Sequence, residues 1–122
     1  NQDDNAQFRL ASLLQEESGK AKESHFWYEK SAKSGNPEAH LALATNFILG
    51  RGVEKNLTLA HVSCNLATFL SRDIGSISRS IQLRTELETK MSTEQIKEAE
   101  QLSRKCIEKK FKECMTYAVE NR

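Results

Sequence analysis

Two stretches of this sequence repeat one another. In "NAQFRLASLL" and "EAHLALATNF", Ala6 falls on Ala39, Phe8 on Leu41, Leu10 on Leu43, Ala11 on Ala44 and Leu14 on Phe47, a constant offset of 33. In "ESHFWYEKSA" and "LAHVSCNLAT", Ser24 falls on Ala60, His25 on His61, Tyr28 on Cys64 and Ser31 on Ala67, now with an offset of 36. The second unit therefore has a connecting loop three residues longer. A period of this length means one supersecondary unit that cannot bury its apolar face alone and must stack on its neighbour. Small residues recur where the helices must touch, at Ala11, Ala39, Ala44, Ala60 and Ala67. They permit the ~8–10 Å approach of close helix packing.

Apolar spacing and punctuation predict six helices. The opening "NQDDN" reads as a polar, frayed start. A stripe through Ala6, Phe8, Leu10, Ala11, Leu13 and Leu14 gives a first helix to about Gln15, and "EESGK" stops it at Gly19. A second helix runs from about Ala21 to "KSGNP". There Gly35 can end it, Asn36 can cap the next, and Pro37 takes the first helical position. The third carries Ala39, Leu41, Leu43, Ala44, Phe47 and Ile48, and the fourth spans about Leu57 to Leu70. "IGSISRSI" reads as a turn and helix entry, so the fifth is expected over Ser76 to Lys90. "STEQ" at Ser92 to Gln95 is a capping box, followed by a long last helix through Ile96, Ala99, Leu102 and Cys106 toward Phe111, Met115 and Tyr117. The expected fold is all-α: a right-handed α-solenoid of two helix-turn-helix repeats plus a C-terminal capping helix pair. The 122 residues make one domain, with 1–5 frayed, 6–70 the repeats and 76–122 the caps.

Composition narrows the function classes. A net charge of +1 gives no bulk attraction to nucleic acid, and no apolar run reaches the ~18 residues of a membrane span. Asn1 is not an initiator methionine, so the N-terminus reads as trimmed, by processing or otherwise. The three cysteines, Cys64, Cys106 and Cys114, are too few and too widely spaced for a disulfide framework. Buried thiols are the favoured reading, with a single bridge from Cys64 to Cys106 or Cys114 as the alternative. No CxxC or paired histidine suggests zinc.

The order of motifs resembles a known family. "EAHLALATNFILGRGVEKNLTLAHVSCNLA" is similar to a Sel-one-like repeat, a relative of the tetratricopeptide repeat. "FWYEKSAKSGNPEA" matches the second half of such a unit, "ILGRGVEKN" its central turn, and "MSTEQIKEAEQL" the helix that caps these arrays. The resemblance covers Ala6 to Leu102. Ser63 and Cys64 stand where the family has Trp and an aromatic, and the first unit has "EESGK" in place of Gly-x-Gly. The resemblance implies a degenerate array of about two units and a protein-interaction role. Members of the family are often exported, and some are immunity proteins that neutralise a cognate secreted toxin. It thus implies a toxin-binding immunity protein in the periplasm or outside the cell, with a general envelope or host-interaction adaptor as the alternative and the cytoplasm as the alternative compartment.

Local chemistry points the same way. "GRGVEK" has no preceding strand and no terminal Gly-Lys-Ser/Thr, so it is no phosphate loop, and a dinucleotide fingerprint would need a third glycine. Gly50 and Gly52 read as a turn, with Val53 plugging the hairpin. His25 and His61 are repeat equivalents and read as a shared surface position, not a metal pair. Trp27 and Tyr28 read as core. Glu86, Glu88, Glu94, Glu98 and Glu100 read as a solvated face. The basic "RKCIEKKFK" reads as a charged last turn that suits the helix dipole. No catalytic, cofactor-binding or metal-ligating residues are indicated, so no enzyme and no cofactor are expected. The first helix of each hairpin is expected to line the concave side. Its polar residues Arg9, Ser12, His40, Thr45 and Asn46, with Arg51 in the turn, are the partner-contact candidates.

Overall fold

The computed structural model of the chain describes residues 2–110. The described residues form six helices and no strand: α1 (Gln2–Gln15), α2 (Ala21–Lys33), α3 (Pro37–Leu49), α4 (Leu57–Leu70), α5 (Ile74–Glu88) and α6 (Thr93–Glu108). Each neighbour in sequence packs on the next from α1 to α5. The last helix also lies against α4, so α5 and α6 share α4 as their support and touch one another little. The array is an all-helical solenoid of two hairpins with two helices added at one end. The helix spans of residues 21–33, 37–49 and 57–70 follow the sequence reading closely.

The caps of α3 and α6 are made by the residues expected of them, and Asn56 adds one at α4. Asn36 accepts from the Ala39 amide through Oδ1 at 3.1 Å, with Pro37 at the first helical position. Asn56 does the same for Leu59 at 3.0 Å. At α6 the box is complete: Ser92 Oγ accepts from Gln95 N at 3.1 Å, and Gln95 Oε1 accepts from Ser92 N at 2.9 Å. Ser92→Ala is therefore expected to cost about 1 kcal/mol in urea unfolding, and a change below a few tenths would show that the box is not supporting α6.

The core runs along the alanine positions. Ala11, Ala39, Ala44, Ala60 and Ala67 are all fully buried, alongside Leu43, Leu59 and Leu66. The absence of bulk at these sites is what lets α1, α2, α3 and α4 approach one another. Tyr28 is buried and Trp27 packs half-buried against this core, as expected of both.

Three boundaries differ from the sequence reading. The first helix starts at Gln2, not at Ala6. "NQDDN" is not loose beyond its first residue, because Asp4 is buried: its carbonyl accepts from Ser31 Oγ at 2.7 Å and its carboxylate from Asn36 Nδ2 at 3.0 Å. The fifth helix starts at Ile74, because Asp73 Oδ1 accepts from the Ser76 amide at 2.8 Å and so caps it two residues earlier. The last helix ends at Glu108 with Lys109 as its C-cap, so within the described residues it is only slightly longer than α5. Phe111, Cys114, Met115, Tyr117 and the end of "RKCIEKKFK" lie outside the described residues.

The turn after α3 behaves as the glycine spacing predicts. Gly50 is the left-handed C-cap at φ +71°, its amide bonding to Asn46 O at 2.7 Å. Gly52 has φ +72° and passes so close to α2 that a Cβ there would lie 2.2 Å from Ala21 O. Asn56 N closes the loop on Phe47 O at 2.9 Å, and Val53 packs against the core from within it.

Candidate functional site

One surface feature of the first hairpin begins at Tyr28. Its hydroxyl donates to Gln15 Oε1 at 3.0 Å and lies 3.1 Å from Ser12 Oγ, while its ring meets Phe8 with centroids 5.5 Å apart. A buried tyrosine thus ties α2 to one flank of α1 and fixes the Phe8 and Ser12 side chains in place. Outside this contact lies a cavity of about 430 Å³ lined by Phe8, Arg9, Ser12 and Leu13. Leu13 is 68% exposed and Arg9 is exposed beside it. The result is an apolar hollow with one exposed guanidinium at its rim, a combination suited to a protein side chain backed by a carboxylate or a carbonyl.

The six candidate contact residues divide sharply. Arg9 and Ser12 come together in this hollow. His40 and Asn46, expected on the groove, are instead buried at 1% and 2% exposure. Asn46 is used internally: its Nδ2 lies 3.1 Å from His25 Nδ1, and its carbonyl takes the amides of Gly50 and Arg51. Burial lowers the His40 pKa to about 4, against a hydrogen bond to the Ala32 backbone that raises it. Thr45 is half-buried and donates its hydroxyl to Leu41 O at 3.2 Å, and Arg51 is half-buried in the glycine turn. Neither joins the α1 hollow. Leu13, which the sequence stripe places in the core, is the residue that was missed. Leu13 and Leu14 are adjacent and so point about 100° apart on a helix, and adjacency alone does not tell which of two leucines faces outward.

His25 and His61, read as a shared surface position, are both buried. Each imidazole is held between an amide and a carboxylate, with the two roles exchanged between repeats. His25 has Asn46 of the next helix at Nδ1 and Glu29 of its own helix 3.8 Å from Nε2, and burial lowers its pKa to about 4. His61 has Asn65 of its own helix 3.0 Å from Nδ1 and Glu88 of α5 2.7 Å from Nε2. Asn65 is itself fixed, accepting from Arg84 Nη1 at 2.8 Å and donating to Ser103 Oγ at 3.0 Å. This network ties α4 to both α5 and α6. Glu88 is therefore a structural group and not a member of a solvated acidic face.

The remaining chemistry is quiet. Among the described residues, no three His, Cys, Asp or Glu side chains are placed to hold a metal ion, and no helix is long and apolar enough to cross a membrane. Cys64 is a free, buried thiol whose pKa burial pushes up to about 12, with Arg84 opposing, so it is neither a nucleophile nor the bridge considered above. Cys106 is disulfide-bonded.

Neither a family model nor a curated protein matches the sequence. A solved structure does match: a protective antigen present in uropathogenic Escherichia coli strains that displays an SLR fold. The two superpose with a TM-score of 0.73 at 25% identity, over 98% of this chain and 25% of that one. This chain thus spans a quarter of the length of that antigen.

Proposed function

We propose that this Sel-one-like repeat chain is a protein-recognition module whose binding surface is centred on the first hairpin. The observation that carries the reading is the α1 hollow, where Leu13 stands 68% exposed beside the Arg9 guanidinium on a rigid helical support. Stacked hairpins offer a partner a preformed surface that needs no ordering on binding, so exposed apolar and charged groups there contribute to affinity directly. The most specific form of the proposal is an immunity protein that seats on a cognate secreted toxin and blocks it, in the periplasm or outside the cell.

A second reading is an envelope or host-interaction adaptor, favoured by the likeness to a protective antigen of a pathogen. Co-expression with the toxin encoded beside the gene separates the two. The immunity reading expects survival of the cells and a stoichiometric complex, and failure to protect would overturn it. An adaptor would bind several unrelated proteins. In either case Leu13→Asp combined with Arg9→Glu is expected to weaken binding by at least about tenfold while leaving the melting curve unchanged, because both side chains are exposed. Undiminished binding by that variant would move the surface elsewhere.

A further inference from the structure

We infer that the outward face of α2 is a second recognition surface, one that takes an acidic protein segment carrying a single large apolar side chain. Lys22, Phe26, Lys30 and Lys33 are spaced i, i+4, i+8 and i+11. At 100° per residue they share an arc of about 80° on one side of the helix. Phe26 is 50% exposed, yet its ring is held: it meets Trp27 edge-on at 5.3 Å and 83°. Lys30 Nζ sits 5.2 Å from the Phe26 centroid and 5.8 Å from that of Trp27. A cavity of about 400 Å³ opens beside the ring, lined by Gln7, Phe26, Glu29, Lys30, Lys33 and Ser34. That volume is within the range of clefts that enclose a ligand group.

Charge identifies the occupant. Lys22, Lys30 and Lys33 are exposed, and none has a carboxylate within ion-pairing distance among the described residues. Glu23 and Glu29 flank this arc and both are engaged: Glu23 pairs with Lys20 at 3.3 Å, and Glu29, at the cavity edge, has Oε1 3.8 Å from Nε2 of the buried His25, with burial raising its pKa while Lys33 opposes. The face therefore presents an excess of positive charge around a fixed aromatic ring and an open cavity. A segment with several carboxylates satisfies the ammonium groups, and one apolar side chain fills the cavity against Phe26. Arg9 lies about 200° around α1 from Gln7, so this surface is separate from the α1 hollow and the inference does not rest on it.

Fluorescence anisotropy tests it with a short labelled peptide of aspartates and glutamates around one central phenylalanine. Saturable binding is expected. It should weaken about tenfold when the peptide's phenylalanine becomes glycine, and equally for the variants Lys30→Glu with Lys33→Glu and for Phe26→Ser. It should also fall with rising salt, and Arg9→Glu with Leu13→Asp should leave it unchanged. The lysine pair variant decides the matter should Phe26→Ser lower the melting temperature, since both lysines are exposed. Absence of saturable binding overturns the inference. So does equal binding by the charge-reversed protein, equal binding of a lysine-for-carboxylate peptide, or preference for phosphatidylserine vesicles over the peptide.

Discussion

Gly52→Ala is expected to destabilise the protein by about 3 kcal/mol or more in urea unfolding, while Gly50→Ala costs about 1 kcal/mol. The two glycines have nearly the same backbone, φ +72° and φ +71°, and so carry the same penalty for a left-handed alanine. Their surroundings differ. A Cβ on Gly50 finds its nearest atoms at 3.7 Å, an ordinary contact. A Cβ on Gly52 lies 2.2 Å from Ala21 O and 2.6 Å from Ala21 C. Both are backbone atoms in the first turn of α2, and no rotamer change can move them. Either α2 shifts away from the turn or the turn leaves the left-handed region, and each loses packing that Val53 and Leu57 make on the core. The difference between the two variants measures the close approach alone. Equal costs would show that the turn does not press on α2, and a Gly52→Ala protein of full stability that no longer binds its partner would turn the glycine pair into a ligand site.

That contact also shows where sequence reasoning stops. The periodicity of 33 and 36 residues, the alanines at Ala11, Ala39, Ala44, Ala60 and Ala67, and the caps at Asn36 and Ser92 are local or repeated signals, and the helices follow them. A glycine pair announces a turn from its own backbone needs, but which helix the turn touches depends on a fold that brings Gly52 to Ala21 across thirty-one residues. The early start of α1 has the same origin, since Asp4 is ordered by Ser31 and Asn36 from another part of the chain. Two of the contact candidates, His40 and Asn46, lie inside for a related reason. Polar residues on a first helix are expected to face the groove, yet His40 and Asn46 are polar residues that point inward, Asn46 onto His25. The inner helices α2, α3 and α4 have neighbours on two or three sides. Polarity then marks either water or a buried partner, and periodicity alone does not separate the two. The α1 hollow escaped notice from the opposite side, because an outward leucine in an apolar stripe looks like core.

Lowering the pH from 7 to 4 is expected to destabilise the fold steeply, with buried imidazoles as the main cause. Burial holds His25 and His40 at pKa values of about 4, below the 6.5 of a free side chain. Well above pH 6.5 neither state is protonated and the groups contribute no pH dependence; at pH 7 the unfolded imidazoles have begun to bind protons. Below 6.5 the unfolded chain takes up protons that the folded chain refuses, so stability falls as pH falls, and the loss levels off only below the folded value near 4. For His40, which is 1% exposed, the full loss is about 3 kcal/mol, a large part of what a domain of this size has to lose. Two carboxylates shape the curve. Burial raises the Glu29 pKa, so the folded state binds its proton first and acidification through that range recovers part of the loss. The Ser76 amide holds the Asp73 carboxyl below its usual value, so that cap is lost at still lower pH and adds to the destabilisation. Urea midpoints at pH 7, 5.5 and 4.5 measure the slope. His40→Gln removes the titrating ring; it is expected to be less stable at pH 7 but to lose less on acidification, so the two proteins converge toward pH 4.5. Parallel curves for the parent, His40→Gln and His25→Gln would mean that the acid sensitivity resides elsewhere.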